Sequence, residues 1–238
     1  MNILLYSSGL DSYIAYYYLK IEKEMDVLPV YVNLGHKYNE VEQRYIRKYR
    51  PETIIIQLEQ YGKLFEEYNA YIPNRNLLLC LVVCSYFESH TNQLNIYLGG
   101  LKDDRIYDNN KKTFRVFERA FNVNPDIEVK INSAFDFKMT KKDIIDWYVD
   151  NVLDETFNLH SRTFSCYNPI EDKKDPHCYS CKACYRKAVA LFDYQKIPIE
   201  NMELVRRYAH DIRENPDMYD DTRVNQINKY TKWMLGLS

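Results

Sequence analysis

Two hydrophobic rhythms alternate along the first two-thirds of this chain. Short apolar runs read as strands, and polar stretches with apolar residues every three or four positions read as helices. Asn2 to Tyr6 (NILLY), Val27 to Asn33 (VLPVYVN), Thr53 to Leu58 (TIIIQL), Leu94 to Leu98 (LNIYL) and Ile127 to Ile131 (IEVKI) are the predicted strands. The third is rich in β-branched side chains, which suit a pleated surface. Between them, a helix running to about Lys23 carries Ile14, Tyr17, Tyr18 and Ile21 at helical spacing, with Asp11 or Ser12 able to cap it. Asn39 to Arg50 is a polar helix with Val41, Tyr45, Ile46 and Tyr49 on one side, stopped by Pro51. Asn74 can cap a helix from about Arg75 to His90, whose centre LLLCLVVC is apolar nearly all round and is therefore expected to be buried. Thr113 to Phe121 and Thr140 to Tyr148 complete the alternation, with Thr140 as N-cap.

Strands alternating with helices predict an α/β fold: an open, mostly parallel five-stranded sheet flanked by helices. The last third differs. Lys182 to Tyr194, Asn201 to Glu214 and Asp221 to Leu235 read as charged helices with no visible packing partner. We expect an α/β domain over residues 1–158 and a helical C-terminal region over 159–238.

Composition narrows the classes. The chain has 238 residues, enough for one substantial core, and its 46% hydrophobic share excludes disorder. Its 32 basic and 34 acidic side chains nearly cancel, which argues against a generic polybasic nucleic-acid binder. No apolar run is long enough to span a membrane, and Met1 to Tyr6 is too short for a signal peptide, so a cytoplasmic protein is expected. Glycine is scarce, at six residues. Four of them, Gly9, Gly35, Gly99 and Gly100, follow three predicted strands, and ligands of open parallel sheets bind at the carboxyl ends of the strands. Gly62 and Gly236 read as ordinary turn glycines.

The first of these loops, Ser7-Ser8-Gly9-Leu10-Asp11-Ser12, lies between a strand and a helix. Serine hydroxyls, loop amides and a helix N-terminus together form an anion cradle. The lysine of a Walker A loop is missing. Six cysteines form two sets. Cys80 and Cys84 share one face of the apolar helix and read as small core residues. Cys166, Cys178, Cys181 and Cys184 have the spacing C-x11-C-x2-C-x2-C, which can close a four-cysteine zinc site. An iron–sulfur cluster is the rival reading, and zinc is preferred. Lys173, Lys174, Lys182, Arg186 and Lys187 flank the cluster and can offset the negative charge of a zinc tetrathiolate. His177 reads as a bystander.

Ser7 to Ser12 resembles the PP-loop, S-G-G-x-D-S, of the ATP pyrophosphatases, with Ser8 in place of the first glycine. Serine there restricts the loop if the position needs a positive φ. Asn33 to Tyr38 loosely resembles a Y-G-Q-x-H segment, with His36 and Tyr38 at the Gln and His positions. Ile72 to Asn76 resembles V-P-x-R-N. Leu98-Gly99-Gly100 through Asp103, Asp104, Tyr107 and Phe114 follows a further segment whose P-D-C-R element is absent. Thr163 to Tyr167 resembles T-x-S-C-Y, and Cys178 to Arg186 resembles C-G-x-C-x-x-C-x-x-R, with Tyr179 for the glycine. In this order the motifs resemble those of the 7-cyano-7-deazaguanine synthase family over roughly residues 1–190.

That resemblance implies an adenine nucleotide alpha hydrolase-like fold and a ligase that uses ATP, Mg²⁺ and Zn²⁺. It implies conversion of 7-carboxy-7-deazaguanine and ammonia to the nitrile through adenylated intermediates, with release of AMP and pyrophosphate. It places Tyr6, Ser7, Ser8, Gly9, Leu10, Asp11 and Ser12 around the phosphates, with Asp11 either a helix cap or a Mg²⁺ contact. Arg75 and Asn76 face phosphate or adenine, and Lys141 stabilises phosphate charge. Gly99, Gly100, Asp103, Asp104 and Tyr107 lie near the base or Mg²⁺, with a solvated polar loop as the alternative for the last three. Thr163 and Ser165 shape the pocket beside a structural zinc. A homodimer is expected, with no nucleic-acid or membrane partner. Adenylation of a different carboxylate for amide formation is the alternative. A zinc-stapled nucleic-acid module around Lys173 to Lys187 is a third, non-enzymatic reading, which predicts salt-dependent binding without ATP turnover.

Overall fold

The computed structural model describes residues 1–237 apart from 68–70, 103, 105–106 and 153–157. Five strands, β1 (Asn2–Leu5), β2 (Leu28–Asn33), β3 (Ile54–Gln57), β4 (Gln93–Leu98) and β5 (Glu128–Ser133), pair in the order β3-β2-β1-β4-β5, every pair parallel. The predicted α/β sheet is therefore present. Chain order departs to one side from β1 to β3 and to the other from β4 to β5, which makes the β1–β4 junction a topological switch point.

The helices of the sheet region are α1 (Leu10–Ile21), α2 (Asn39–Tyr49), α3 (Glu59–Phe65), α4 (Arg75–Phe87), α5 (Lys111–Phe121) and α6 (Lys141–Asn151). They cover both faces, and the strand period of two divides the core accordingly. Ile3, Leu5, Val30 and Val32 join the cluster under α4 and α5. Leu4, Tyr6 and Tyr31 point the other way, into a cluster with α1, α2 and α6. The C-terminal helices α7 (Leu159–Arg162), α8 (Lys182–Leu191), α9 (Met202–Glu214) and α10 (Asp221–Leu235) enter this second cluster through Leu159, Val189, Leu204, Ile227 and Tyr230. Their charged faces stay outward, and α8 packs on α6 and carries α9 and α10.

Several expectations change. The first helix begins at Leu10 behind Gly9, so neither Asp11 nor Ser12 is its cap. Thr140 does cap α6, in a capping box with Asp143. The helix from Arg75 buries only one side, through Cys80, Val83, Cys84 and Phe87; Leu81 and Tyr86 are 47% and 48% exposed. Composition alone could not reveal this, because an apolar helix shows no preferred face. Gly62 is not in a turn. It lies in α3, where its amide donates to the Leu34 carbonyl at 2.6 Å. A Cβ on Gly62 would stand 2.6 Å from that carbonyl oxygen, and one on Gly35 would stand 1.9 Å from the Glu59 oxygen. Gly35 also holds φ +77°, so the loop after β2 can lie flat on α3 only with glycine at both positions. Gly236, at φ +65°, ends α10 as a turn glycine. No helix among the described residues is long and apolar enough to cross a membrane.

Candidate functional site

The turn after β1 closes on itself. The Ser7 amide donates to Ser12 Oγ at 3.2 Å, and Ser12 Oγ–H donates to the Gly9 carbonyl at 3.1 Å. This ties the turn to the first residues of α1, whose amide end faces a cleft. Ser8 stands at φ +58°, so the position where the resembled PP-loop has glycine does require left-handed backbone. The Ser8 side chain is buried and lines neither lobe of the cleft, and its hydroxyl finds no partner among the described residues.

The cleft has two lobes, of about 280 and 240 Å³. Both include Ser7, Asp11, Ser12, Tyr38, Glu42, Arg75 and Asp104 in their walls, so they meet at the turn. Asp11, in the first turn of α1, is ion-paired with Lys141, in the first turn of α6. Gly99 makes that junction possible: a Cβ there would stand 3.1 Å from the Asp11 Cβ. Arg75 lines both lobes and makes no hydrogen bond or ion pair among the described residues. Burial opposes its charge, but Tyr38, Tyr167 and Glu42 around it more than compensate and hold it protonated.

Other anticipated residues are placed differently. Gly9 and Leu10 line the first lobe, and Tyr6 the second. Asn76 borders the second lobe, but its amide and its side-chain nitrogen both donate to the Asp108 carboxylate at 3.1 Å. Gly100 lines neither lobe; a Cβ there would meet the Phe137 ring at 2.5 Å. Asp104 accepts from the Leu101 amide and from Asn109 while bordering both lobes. Tyr107 is 95% exposed and stays out of the cleft, and Asp103 lies outside the described residues. Ser165 lines the first lobe, whereas the Thr163 hydroxyl turns back to the Leu159 carbonyl.

Glu42 was not anticipated. It lies 8% exposed on the inner side of α2. Its Oε2 accepts from the Tyr31 hydroxyl at 2.8 Å and meets His36 Nε2 at 3.0 Å. The signal was present in the pattern, because position 42 falls between Tyr38 and Ile46 on the helix stripe that also holds Tyr45. Burial, and then the Glu42 charge, push the Tyr31 hydroxyl far above its ordinary range.

Cys166 forms part of the first lobe's wall and belongs to the four-cysteine cluster. The four sulfurs of Cys166, Cys178, Cys181 and Cys184 lie within 4.8 Å of one another. A tetrahedral zinc thiolate needs sulfurs about 3.8 Å apart, so little movement is required. Backbone amides of Asn168, Cys178, Ser180 and Cys184 already point at these sulfurs, at 3.3–3.5 Å, as bound thiolates need. The donor set fits zinc and leaves no open position for a substrate. Tyr179, inside the cluster loop, holds φ +53° where the resembled motif has glycine. Its hydroxyl bonds Asp175 and, at 2.9 Å, His160 Nε2.

A buried cation joins this cluster to the cleft. Lys187 on α8 lines the first lobe and donates to the carbonyls of Thr163 at 2.6 Å and His160 at 2.9 Å. Its third neighbour is His177 Nε2 at 3.1 Å, and His177 Nδ1 meets Asp175 at 2.7 Å. Burial draws Lys187 down to about 7, against the pull of Cys184, Asp175 and Cys166. Three acceptors saturate an ammonium, and this geometry favours its charged form. Burial, with the Lys187 charge behind it, holds His177 down to about 4 and His160 to about 3, so both rings are neutral near pH 7.

No curated protein matches the chain. The family model described as queuosine biosynthesis protein QueC matches residues 56–195, from β3 past the end of α8. The match takes in Arg75, Lys141 and all four clustered cysteines, and begins after the Ser7–Ser12 turn and Glu42. With more than half its length matched, and with the parallel sheet and cysteine cluster in place, the chain belongs to the QueC family of queuosine biosynthesis proteins.

Proposed function

We propose that this protein converts 7-carboxy-7-deazaguanine and ammonia to 7-cyano-7-deazaguanine at the cost of ATP. The observation that carries the reading is the convergence of the Ser7–Ser12 turn, the Asp11–Lys141 pair and Arg75 at the junction of the two lobes.

A carboxylate resists attack by ammonia because oxide is a poor leaving group. A carboxylate oxygen attacks the α-phosphorus of ATP, and pyrophosphate departs. Ammonia then displaces AMP and leaves the amide. The amide oxygen attacks the α-phosphorus of a second ATP, again releasing pyrophosphate, and the nitrogen gives up both of its protons as AMP leaves, forming the nitrile. The protein's part is positioning and charge stabilisation. Amides of the turn and the Ser7 and Ser12 hydroxyls hold the departing pyrophosphate. Lys141 and Arg75 offset its charge. Asp11 and Asp104 are the carboxylates available to Mg²⁺, which would neutralise phosphate charge when bound. Zinc would supply structural cross-linking through its four thiolates.

Incubation with ATP, Mg²⁺, ammonia and the carboxylate should yield AMP, pyrophosphate and the nitrile by mass spectrometry. ADP and phosphate instead would sink the reading. A second reading, amide formation on another carboxylate, draws support from His36 and Tyr38, which differ from the resembled motif and face the second lobe. In that case the product stops at the amide. We also propose a cytoplasmic homodimer without a nucleic-acid partner, which light scattering checks for its mass.

A further inference from the structure

We propose that Glu42 is a specificity-determining residue, whose second carboxylate oxygen accepts a hydrogen bond from the exocyclic amino group of a nucleobase in the cleft. The proposal rests on the reading of the cleft as a nucleotide-and-base site, and it names the chemistry that the second lobe recognises.

A carboxylate this deeply buried needs partners. Glu42 satisfies only half of its own demand. Tyr31 and His36 both engage Oε2, and Oε1 has no partner among the described residues. No lysine or arginine among the described residues lies within ion-pair distance of Glu42, although the charge of Arg75 is felt nearby. Oε1 is not among the fully enclosed polar atoms that lack a partner, so it is the oxygen open to the cleft. Glu42 lines both lobes. Leu5, Val32, Leu34 and Leu98, with the rings of Tyr31 and Tyr38, form the apolar part of the second lobe, while Ser7, Asp11, Asn76, Asp104 and Asn109 border it as well. Of the carboxylates there, Asp11 is ion-paired with Lys141 and Asp104 accepts from the Leu101 amide and Asn109, so an apolar wall beside the open Oε1 of Glu42 suits a planar heterocycle that carries an amino group on its edge. Adenine and the deazaguanine both present such an edge.

The anchoring makes a sharp test available. Tyr31 donates to Oε2, and His36 does so when Nε2 carries the proton. In Glu42→Gln these two groups, acting as donors, favour the amide oxygen at the Oε2 position. The amide nitrogen then stands where Oε1 stood, so an acceptor facing the ligand becomes a donor. Two ligand pairs report this: ATP against inosine triphosphate, and 7-carboxy-7-deazaguanine against 7-carboxy-7-deazaxanthine. Each pair replaces an amino group by a carbonyl.

Calorimetric binding should show the wild type preferring the amino member of one pair by about tenfold or more. Glu42→Gln should lose that preference or reverse it, and the other pair should not respond. Glu42→Asp, which keeps the acceptor, should bind more weakly while retaining the preference. The responding pair identifies the base as adenine or deazaguanine. Equal weakening of all four ligands by Glu42→Gln, or no change, overturns the proposal. Discrimination in binding without nitrile formation leaves the proposal standing and removes the proposed reaction. A wild type that binds neither base removes both.

Discussion

The Phe164 amide donates to the Ser8 carbonyl across 2.9 Å, fastening the turn after β1 to the segment that leads into the cysteine cluster. One residue earlier, the Thr163 carbonyl is held by Lys187 at 2.6 Å. The cleft turn, the buried lysine and the cluster loop therefore form one connected unit, although 179 residue numbers separate its ends.

Lys187→Met tests that connection. The substitution keeps the length of the side chain but leaves two carbonyls and His177 without their donor. Removing one member of a buried charged network typically costs about 3 kcal/mol. Denaturant unfolding should show a loss of that order, with zinc content unchanged and a raised KM for ATP as the Thr163–Phe164 segment loosens.

Ser8 carries two local costs. Its backbone is left-handed, worth roughly 1 kcal/mol for a residue with a Cβ, and its buried hydroxyl is unpartnered among the described residues. Ser8→Gly removes both and gives back some entropy to the unfolded chain. The net expectation is a gain of about 1 kcal/mol, read as a melting temperature higher by about 2–4 °C.

The cysteine cluster should bind one zinc per chain by elemental analysis. Cys181→Ser should abolish stoichiometric zinc and cost roughly 4 kcal/mol or more, because the cluster ties the 163–168 segment to α8. Iron in place of zinc would overturn the assignment.

Stability should fall on acidification in a defined window. His160 takes up a proton near its ordinary 6.5 when unfolded, but only near 3 when folded, where burial and Lys187 oppose the charge. Between those values the unfolded chain binds more protons, so stability is lost as pH falls below about 6.5. His160→Gln should flatten the slope of unfolding free energy between about pH 6.5 and 4 when measured with saturating zinc.

Much of the architecture was legible because it depends on near neighbours in the chain. Alternation in Ile3 to Tyr6 and in Val30 to Val32 specifies two buried faces, and strands so buried on both faces form parallel sheets. The four-cysteine spacing is similarly local. Helix burial was less accessible. The run from Leu77 to Cys84 is apolar on every side, and only the docked sheet decides that Cys80, Val83 and Cys84 turn inward.

The sequence by itself determined the strand and helix alternation, the glycine-marked strand ends and the cysteine set, since periodicity and spacing are properties of adjacent residues. Only the tertiary structure decided that Glu42 and Arg75 share a cleft, that Lys187 reaches the backbone beside the Ser7–Ser12 turn, and that Gly62 is pressed against Leu34. Those relationships depend on which surfaces meet when helices close over a sheet. A buried charge or a vanished Cβ acquires its reason only from the atoms brought against it.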